Sequence, residues 1–261
     1  LKAAHIGVAM GQRGTDVARE ASAIVLLNDD FGALIDAVRL GRRIYDNIRK
    51  AMGFIFAVHV PIAGMALLPL ILGWPIVLWP LHIAFLEMVI DPVCSLVFEA
   101  EKEEHDVMTR PPRDPAQELF SKELIIASLF AGLLALMLVG AVYAGAVMRG
   151  LPEGEVRALA FFTLILTIAG LVLASRRLSA SLGSALLRPN LALGVVAAMV
   201  VTVSGLTLWV PMIRDLFRFG PLHGHDMLIA VGAGLILLLI LEGAKALVRD
   251  RRSRSASAAA R

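Results

Sequence analysis

From Ala51 to Leu86 the chain carries no Asp, Glu, Lys or Arg. That stretch is far longer than the roughly 20 apolar residues one membrane span needs, so it fits two helices rather than one. Gly73-Trp74-Pro75, with Trp79 close behind, marks a tight interfacial turn between them. Aliphatic blocks of similar length recur as far as Val248, with the charges gathered between them. Six helices are expected, at about 51–72, 76–98, 124–148, 157–175, 191–210 and 227–248. The fold class is therefore a mainly α-helical polytopic membrane protein with six transmembrane helices and a short N-terminal α/β piece.

Composition excludes the alternatives. Hydrophobic residues make up 58% of the 261 and charged ones only 18%, against about 25% charged in ordinary soluble domains. A disordered chain, a disulfide scaffold and a common soluble enzyme are all ruled out, and Cys94 stands alone. The net charge of +3 comes from 25 basic and 22 acidic residues, so placement matters more than the sum. With the N-terminus cytoplasmic, the outer loops hold only Arg149, Arg157, Arg214 and Arg218, which leaves 21 of the 25 basic residues inside. The positive-inside rule then puts both termini in the cytoplasm of a multi-pass cell-membrane protein. The Arg/Ser/Ala-rich tail 249–261 suits a solvated segment near anionic lipid. Nucleic acid is not an expected partner, because no folded basic module is present.

The first 50 residues have the pattern of a soluble α/β segment. His5–Met10 and Ala23–Leu27 fit short buried strands, and Thr15 or Asp16 caps a short helix between them. From Gly32 the apolar residues Leu34, Ile35, Val38, Ile44 and Ile48 predict a helix, and no breaker separates it from Ala51. It is expected to run straight into the first span. The chain opens on Leu-Lys-Ala-Ala-His without Met, and a fragment is expected.

Glu87 and Asp91 carry the most information. They sit four apart on one helix face inside an apolar span, where an ionisable residue costs at least about 2.5 kcal/mol and marks a functional site by default. Pro92 has no N–H to give the Met88 carbonyl, which is left free. Two carboxylates and a loosened carbonyl form a hard oxygen site for Ca²⁺, Mg²⁺ or Mn²⁺; the alternative is a neutralised, purely structural pair. His59, beside Pro61, which similarly frees the Ala57 carbonyl, is a further candidate as ligand, proton carrier or packing residue. His82 is read as interfacial, and His223 and His225 as outer-loop residues with little claim to a metal. Gly7–Gly11 with Gly14 lacks the Lys-Ser/Thr of a phosphate loop.

These segments, in order, resemble the C-terminal part of P-type cation-transporting ATPases. Ile6-Gly-Val-Ala-Met-Gly11, Gly14-Thr-Asp-Val-Ala-Arg-Glu-Ala-Ser22 and Val25-Leu-Leu-Asn-Asp-Asp-Phe31 resemble the end of that family's phosphorylation domain. Gly41-Arg-Arg-Ile-Tyr-Asp-Asn-Ile-Arg-Lys50 is similar to its stalk, and His105-Asp-Val-Met-Thr-Arg-Pro-Pro-Arg113 to the loop between its sixth and seventh helices. The resemblance implies a HAD-like remnant over 1–37, a stalk over 38–50, a six-helix membrane domain over 51–248 and a basic tail over 249–261.

It also implies what lies elsewhere. The Asp-Lys-Thr-Gly-Thr segment and the Gly-Asp-Gly-x-Asn-Asp motif are not among these residues, so ATP and Mg²⁺ belong to the intact protein, and the fragment is not expected to hydrolyse ATP unaided. The missing N-terminal part of the pump, the lipid bilayer and the transported cation are the implied partners. Six helices after the phosphorylation domain favour the type II, Ca²⁺-pump-like class. Asp91 matches that class's sixth-helix Asp, whereas Glu87 replaces its Asn. His59 and Ile62 align with the fifth-helix Asn and Glu, and Ala169 with the eighth-helix Glu, so one site at most is rebuilt. The implied metal ligands are Glu87, Asp91, Met88 and His59, for Ca²⁺, Mn²⁺ or a similar ion. A proton-pumping ATPase fragment and a non-enzymatic six-helix remnant are the alternatives.

Overall fold

The computed structural model describes residues 1–113, 119–176 and 190–259. The chain divides into two compact units, Leu1–Asp46 with Lys102–Pro112, and Asn47–Glu101 with Arg113–Arg261.

In the first unit, β1 (Val8–Met10) and β2 (Ile24–Leu26) pair in parallel, Val8 opposite Ile24 and Met10 opposite Leu26. Parallel strands need a crossover, and α1 (Asp16–Glu20) lies in it, capped by Thr15, whose hydroxyl accepts from the Ala18 N–H at 3.2 Å. After β2 the chain turns through Asp29, which has a φ of 55°. An L-residue accepts that conformation only where something holds it, and Asp is among the more tolerant types. Its carboxylate accepts from the Gln12 N–H at 2.9 Å, and from the Arg13 N–H and Nε at 3.0 Å each. The Gln12 amide above all, with Arg13, holds this carboxyl below the usual range. Asp30 then accepts from the Gly32 N–H at 2.7 Å and opens α2.

Helix α2 (Gly32–Leu72) is continuous, as the absence of a breaker implied, and contains Pro61 and Pro69. Its early turns belong to the first unit, where Arg42 donates to the Val107 and Arg110 carbonyls at 2.8 and 2.9 Å. Arg110 in turn pairs with Asp46 at 2.5 Å and with Asp106 at 3.5 Å. The two family-like motifs of stalk and loop thus meet through their arginines, and the Asp46 carboxylate pushes the Arg110 guanidinium further up.

The second unit is helical. After Trp74–Trp79 come α3 (Pro80–Pro92), a π-helical turn over Val93–Val97, α4 (Lys122–Met148), α5 (Glu153–Ser175), α6 (Leu191–Trp209), the short α7 (Pro211–Leu216) and α8 (Gly224–Ala259). Among the described residues, six helices are long and apolar enough to cross a membrane. Helix α3 starts four residues later than expected. Pro80 occupies its first turn, where a fixed φ and a missing N–H cost nothing, and the Trp79 N–H is accepted by His82 Nδ1 at 3.2 Å. Ser121 and Asn190 cap α4 and α6 through the Leu124 and Leu193 amides. Helix α8 continues to Ala259 where a tail was expected from residue 249; Ala and Arg are good helix formers and nothing stops it. Residues 114–118 and 260–261 of the expected loop and tail lie outside the described residues.

Helix α5 is the centre, with 78% of its most apolar window buried against 11% for α6. Its Gly170 passes against Gly234 of α8, where an added Cβ would stand 3.3 Å from a backbone oxygen. Helices α2 and α4 approach more closely still. Pro61 leaves the Ala57 carbonyl without its helical donor, and that oxygen faces Gly132, where a Cβ would sit 2.3 Å from it and 2.8 Å from Val60 Cβ. Small residues permit such approach between membrane helices.

Two outcomes follow from these contacts. Gly132→Ala should force α2 and α4 apart and cost about 1–3 kcal/mol, read as a lowered midpoint of thermal or SDS unfolding in mixed micelles. Asp29→Ala should speed hydrogen exchange at the Gln12 and Arg13 amides. A carboxyl held low in the folded state contributes stability above the unfolded pKa of about 3.9 and loses it as pH falls through the folded value. The ratio of variant to wild-type exchange should therefore be large at pH 6 and decline to one well below pH ~4.

Candidate cation site

Glu87 and Asp91 are one helical turn apart on α3, Glu87 half-buried and Asp91 exposed, with Met88 exposed between them. Ser95 donates its hydroxyl to the Asp91 carbonyl at 2.7 Å. The loosened backbone lies somewhat later than the sequence implied. Helix α3 keeps its α form as far as Pro92, and the widening follows it, with the Phe98 N–H reaching back five residues to the Val93 carbonyl at 3.2 Å. A π-turn of this kind recurs at functional sites in helices. The Met88 carbonyl still lacks its ordinary partner, because Pro92 has no N–H.

His59 is exposed on α2, and its Nδ1 donates to the Ile55 carbonyl at 2.8 Å, which leaves Nε2 as the ring's remaining ligand atom. The structure does not gather His59, Glu87 and Asp91 into one cluster, and no group of three His, Cys, Asp or Glu side chains is placed to hold a metal among the described residues. Ile62 is buried among apolar neighbours.

His82 is not at an interface with lipid. It is 1% exposed, boxed by Phe161, Phe217 and Phe219 at centroid distances of 5.0, 5.4 and 5.1 Å, the three ring planes steeply inclined to it. Edge-to-face geometry of this kind suits aromatic quadrupoles. His223 and His225 flank Asp226, which is buried and pairs with Arg149 at 3.0 Å.

Several buried polar groups around the helix ends left little trace in the sequence. Arg157 donates to the Ile76 carbonyl at 2.9 Å and to the Arg218 carbonyl at 2.6 Å, and Tyr143 donates to the Pro75 carbonyl at 2.9 Å. These cover the extended segment before α3. At the opposite end of α5, Arg176 pairs with Glu101 at 2.9 Å, both buried. Asn190 donates to the Val97 carbonyl at 3.0 Å and to Glu101 Oε2 at 3.1 Å, and Asn47 donates to the Glu101 carbonyl at 2.8 Å. The only hint was a charged or amide residue at the edge of an apolar block.

Apolar helices wrapped on a buried central one, with charge held at their ends, define a polytopic helical membrane protein. Comparison narrows it further. Residues 75–247 match the family described as cation transporting ATPase, C-terminus, and the chain belongs to that family. It is 34% identical over 245 residues to a calcium-transporting ATPase of Listeria monocytogenes, covering 93% of this chain and 27% of that protein. It is 31% identical over 244 residues to calcium-transporting ATPase 1 of Lactococcus lactis, again 93% of this chain and 27% of the relative. Over 137 residues it is 34% identical to a sodium/potassium-transporting ATPase subunit alpha of Hydra vulgaris, covering 52% of this chain and 13% of that one. The chain thus spans about a quarter of the length of the calcium-transporting relatives.

Proposed function

We propose that this chain is the C-terminal membrane portion of an ATP-driven cation pump and supplies the binding site and transport path for a divalent cation of the calcium class, Ca²⁺ or Mn²⁺. The observation that carries the reading is the Glu87–Asp91 pair, one turn apart in an apolar helix interrupted by Pro92 and a π-turn. Carboxylates and an unpartnered carbonyl are the ligands hard cations take. The calcium transport named for the Listeria and Lactococcus relatives points the same way. Asp91 and Glu87 are the principal ligands, the Met88 carbonyl assists, and His59 on α2 is a further contributor. ATP and Mg²⁺ act in the N-terminal part of the pump. Asp29 of the α/β piece has its carboxylate taken up by Gln12 and Arg13 and serves as a staple.

In the intact pump, Asp91→Asn should lower apparent Ca²⁺ affinity by about ten-fold or more, since it removes a charged ligand while keeping the shape. Cation-dependent phosphoenzyme formation is the measurement. Normal cation dependence in both Asp91→Asn and Glu87→Gln would make the pair structural.

The basic residues favour cytoplasmic termini, with Arg149, Arg157, Arg214 and Arg218 on the outer side. Protease protection of tags at both ends in sealed vesicles should give the same result for each. Termini on opposite faces would refute six crossings.

A further inference from the structure

We infer that Asn190 is a positioning residue that locks the π register of the helix carrying Glu87 and Asp91, and that the buried Arg176–Glu101 pair holds Asn190 in place. A π-turn accommodates one residue more than an α-turn. Returning Val93–Val97 to α form would therefore rotate the helix before it by about 100° and shift it by about 1.5 Å. The direction in which Glu87 and Asp91 point depends on which form the turn takes.

Both polar atoms of the Asn190 side chain are hydrogen-bonded, and one of these bonds reaches the turn. One Nδ2 hydrogen goes to the Val97 carbonyl at 3.0 Å, in the last position of the π-turn. The other goes to Glu101 Oε2 at 3.1 Å, and Oδ1 accepts from the Leu193 N–H at 3.1 Å. A flipped amide would set its oxygen against a carbonyl and a carboxylate, so only one orientation satisfies the three neighbours. Glu101 cannot drift, because Arg176 holds both of its oxygens, at 2.9 and 3.3 Å. Asn47 holds its backbone carbonyl. Burial strengthens each of these bonds and makes the loss of any partner costly.

The lock stands on geometry alone; its effect on transport rests on the reading of Glu87 and Asp91 as ligands. Two variants separate the roles of Asn190. Asn190→Ser keeps an oxygen able to cap α6 but is too short to reach Val97 and Glu101. Arg176→Lys keeps the charge and loses the two-pronged grip on Glu101. Hydrogen-exchange mass spectrometry on the chain in lipid nanodiscs, without cation, is the test. In Asn190→Ser the amides of 93–101 should exchange at least about ten-fold faster while those of 192–196 are unchanged, and Arg176→Lys should do the same more weakly. Unchanged exchange over 93–101 overturns the proposal. So does an equal rise throughout 191–209, which would mark general loosening of α6. The ligand reading is tested separately by Ca²⁺ dependence in the intact pump. If Asp91→Asn weakens it, Asn190→Ser should weaken it about ten-fold without changing maximal phosphoenzyme, and a normal Ca²⁺ dependence in Asn190→Ser would refute the positioning role.

Discussion

In hydrocarbon a backbone N–H or C=O without a partner costs several kcal/mol, so every departure from helix at membrane depth must be answered by another group. Helix α5 supplies those answers at both ends. Arg157 near its start covers the Ile76 and Arg218 carbonyls, and Arg176 just past its end anchors Glu101 and, through it, Asn190. Nineteen positions separate the two arginines, a rise of about 28 Å in a helix, close to the ~30 Å hydrocarbon thickness. The most buried helix therefore carries Arg157 and Arg176 at a spacing that matches the hydrocarbon thickness, and uses them to hold the irregular backbone on either side of α3.

That arrangement explains why α3 tolerates two breaks. Its entry is an extended segment with carbonyls held by Tyr143 and Arg157. Its exit is a π-turn with its last carbonyl held by Asn190. Apolar packing alone could not supply these bonds. It fills the space between them, with Phe161, Phe217 and Phe219 around His82 at one end, Phe85 against Phe161 and Phe217, and the Phe54–Phe98 pair elsewhere in the core. The stalk follows the same logic in water. Arg42 and Arg110 tie the 102–112 loop to α2 through carbonyls and Asp46.

The six spans were legible because hydrophobic length is a property of contiguous residues, and the unbroken α2 because a helix needs a residue to stop it. The Thr15 cap was legible for the same local reason. Glu87 and Asp91 stood out as charges in an apolar run. Arg176 and Glu101 did not, because each lies at the edge of a polar loop and their 75-residue separation leaves no periodic sign. Pro92 revealed a weakened helix but not its direction. Proline removes a bond to the residue four before it, yet the backbone here absorbs the disturbance after it, where Asn190 offers a donor. His82 was misread for a related reason. Its position near a helix end suggested headgroups, and only the packing of α5 and the 217–219 segment over it makes it interior.

The exposed faces of the bundle differ in kind, and the difference bears on what meets them. Helix α6 exposes Leu191, Val195, Val201, Leu206 and Trp209, an apolar set with an aromatic at its end, as lipid and interface require. Helix α3 exposes Leu81, Ile83 and Met88 but also Asp91, with Glu87 half-open one turn away. A carboxylate turned to hydrocarbon at the helix centre costs at least about 2.5 kcal/mol, whereas water, protein or a bound cation removes most of that cost. A lipid contact therefore suits the α6 face and not the Asp91 side of α3. Those two acids suit a place where water, protein or a cation meets them rather than one filled by lipid tails.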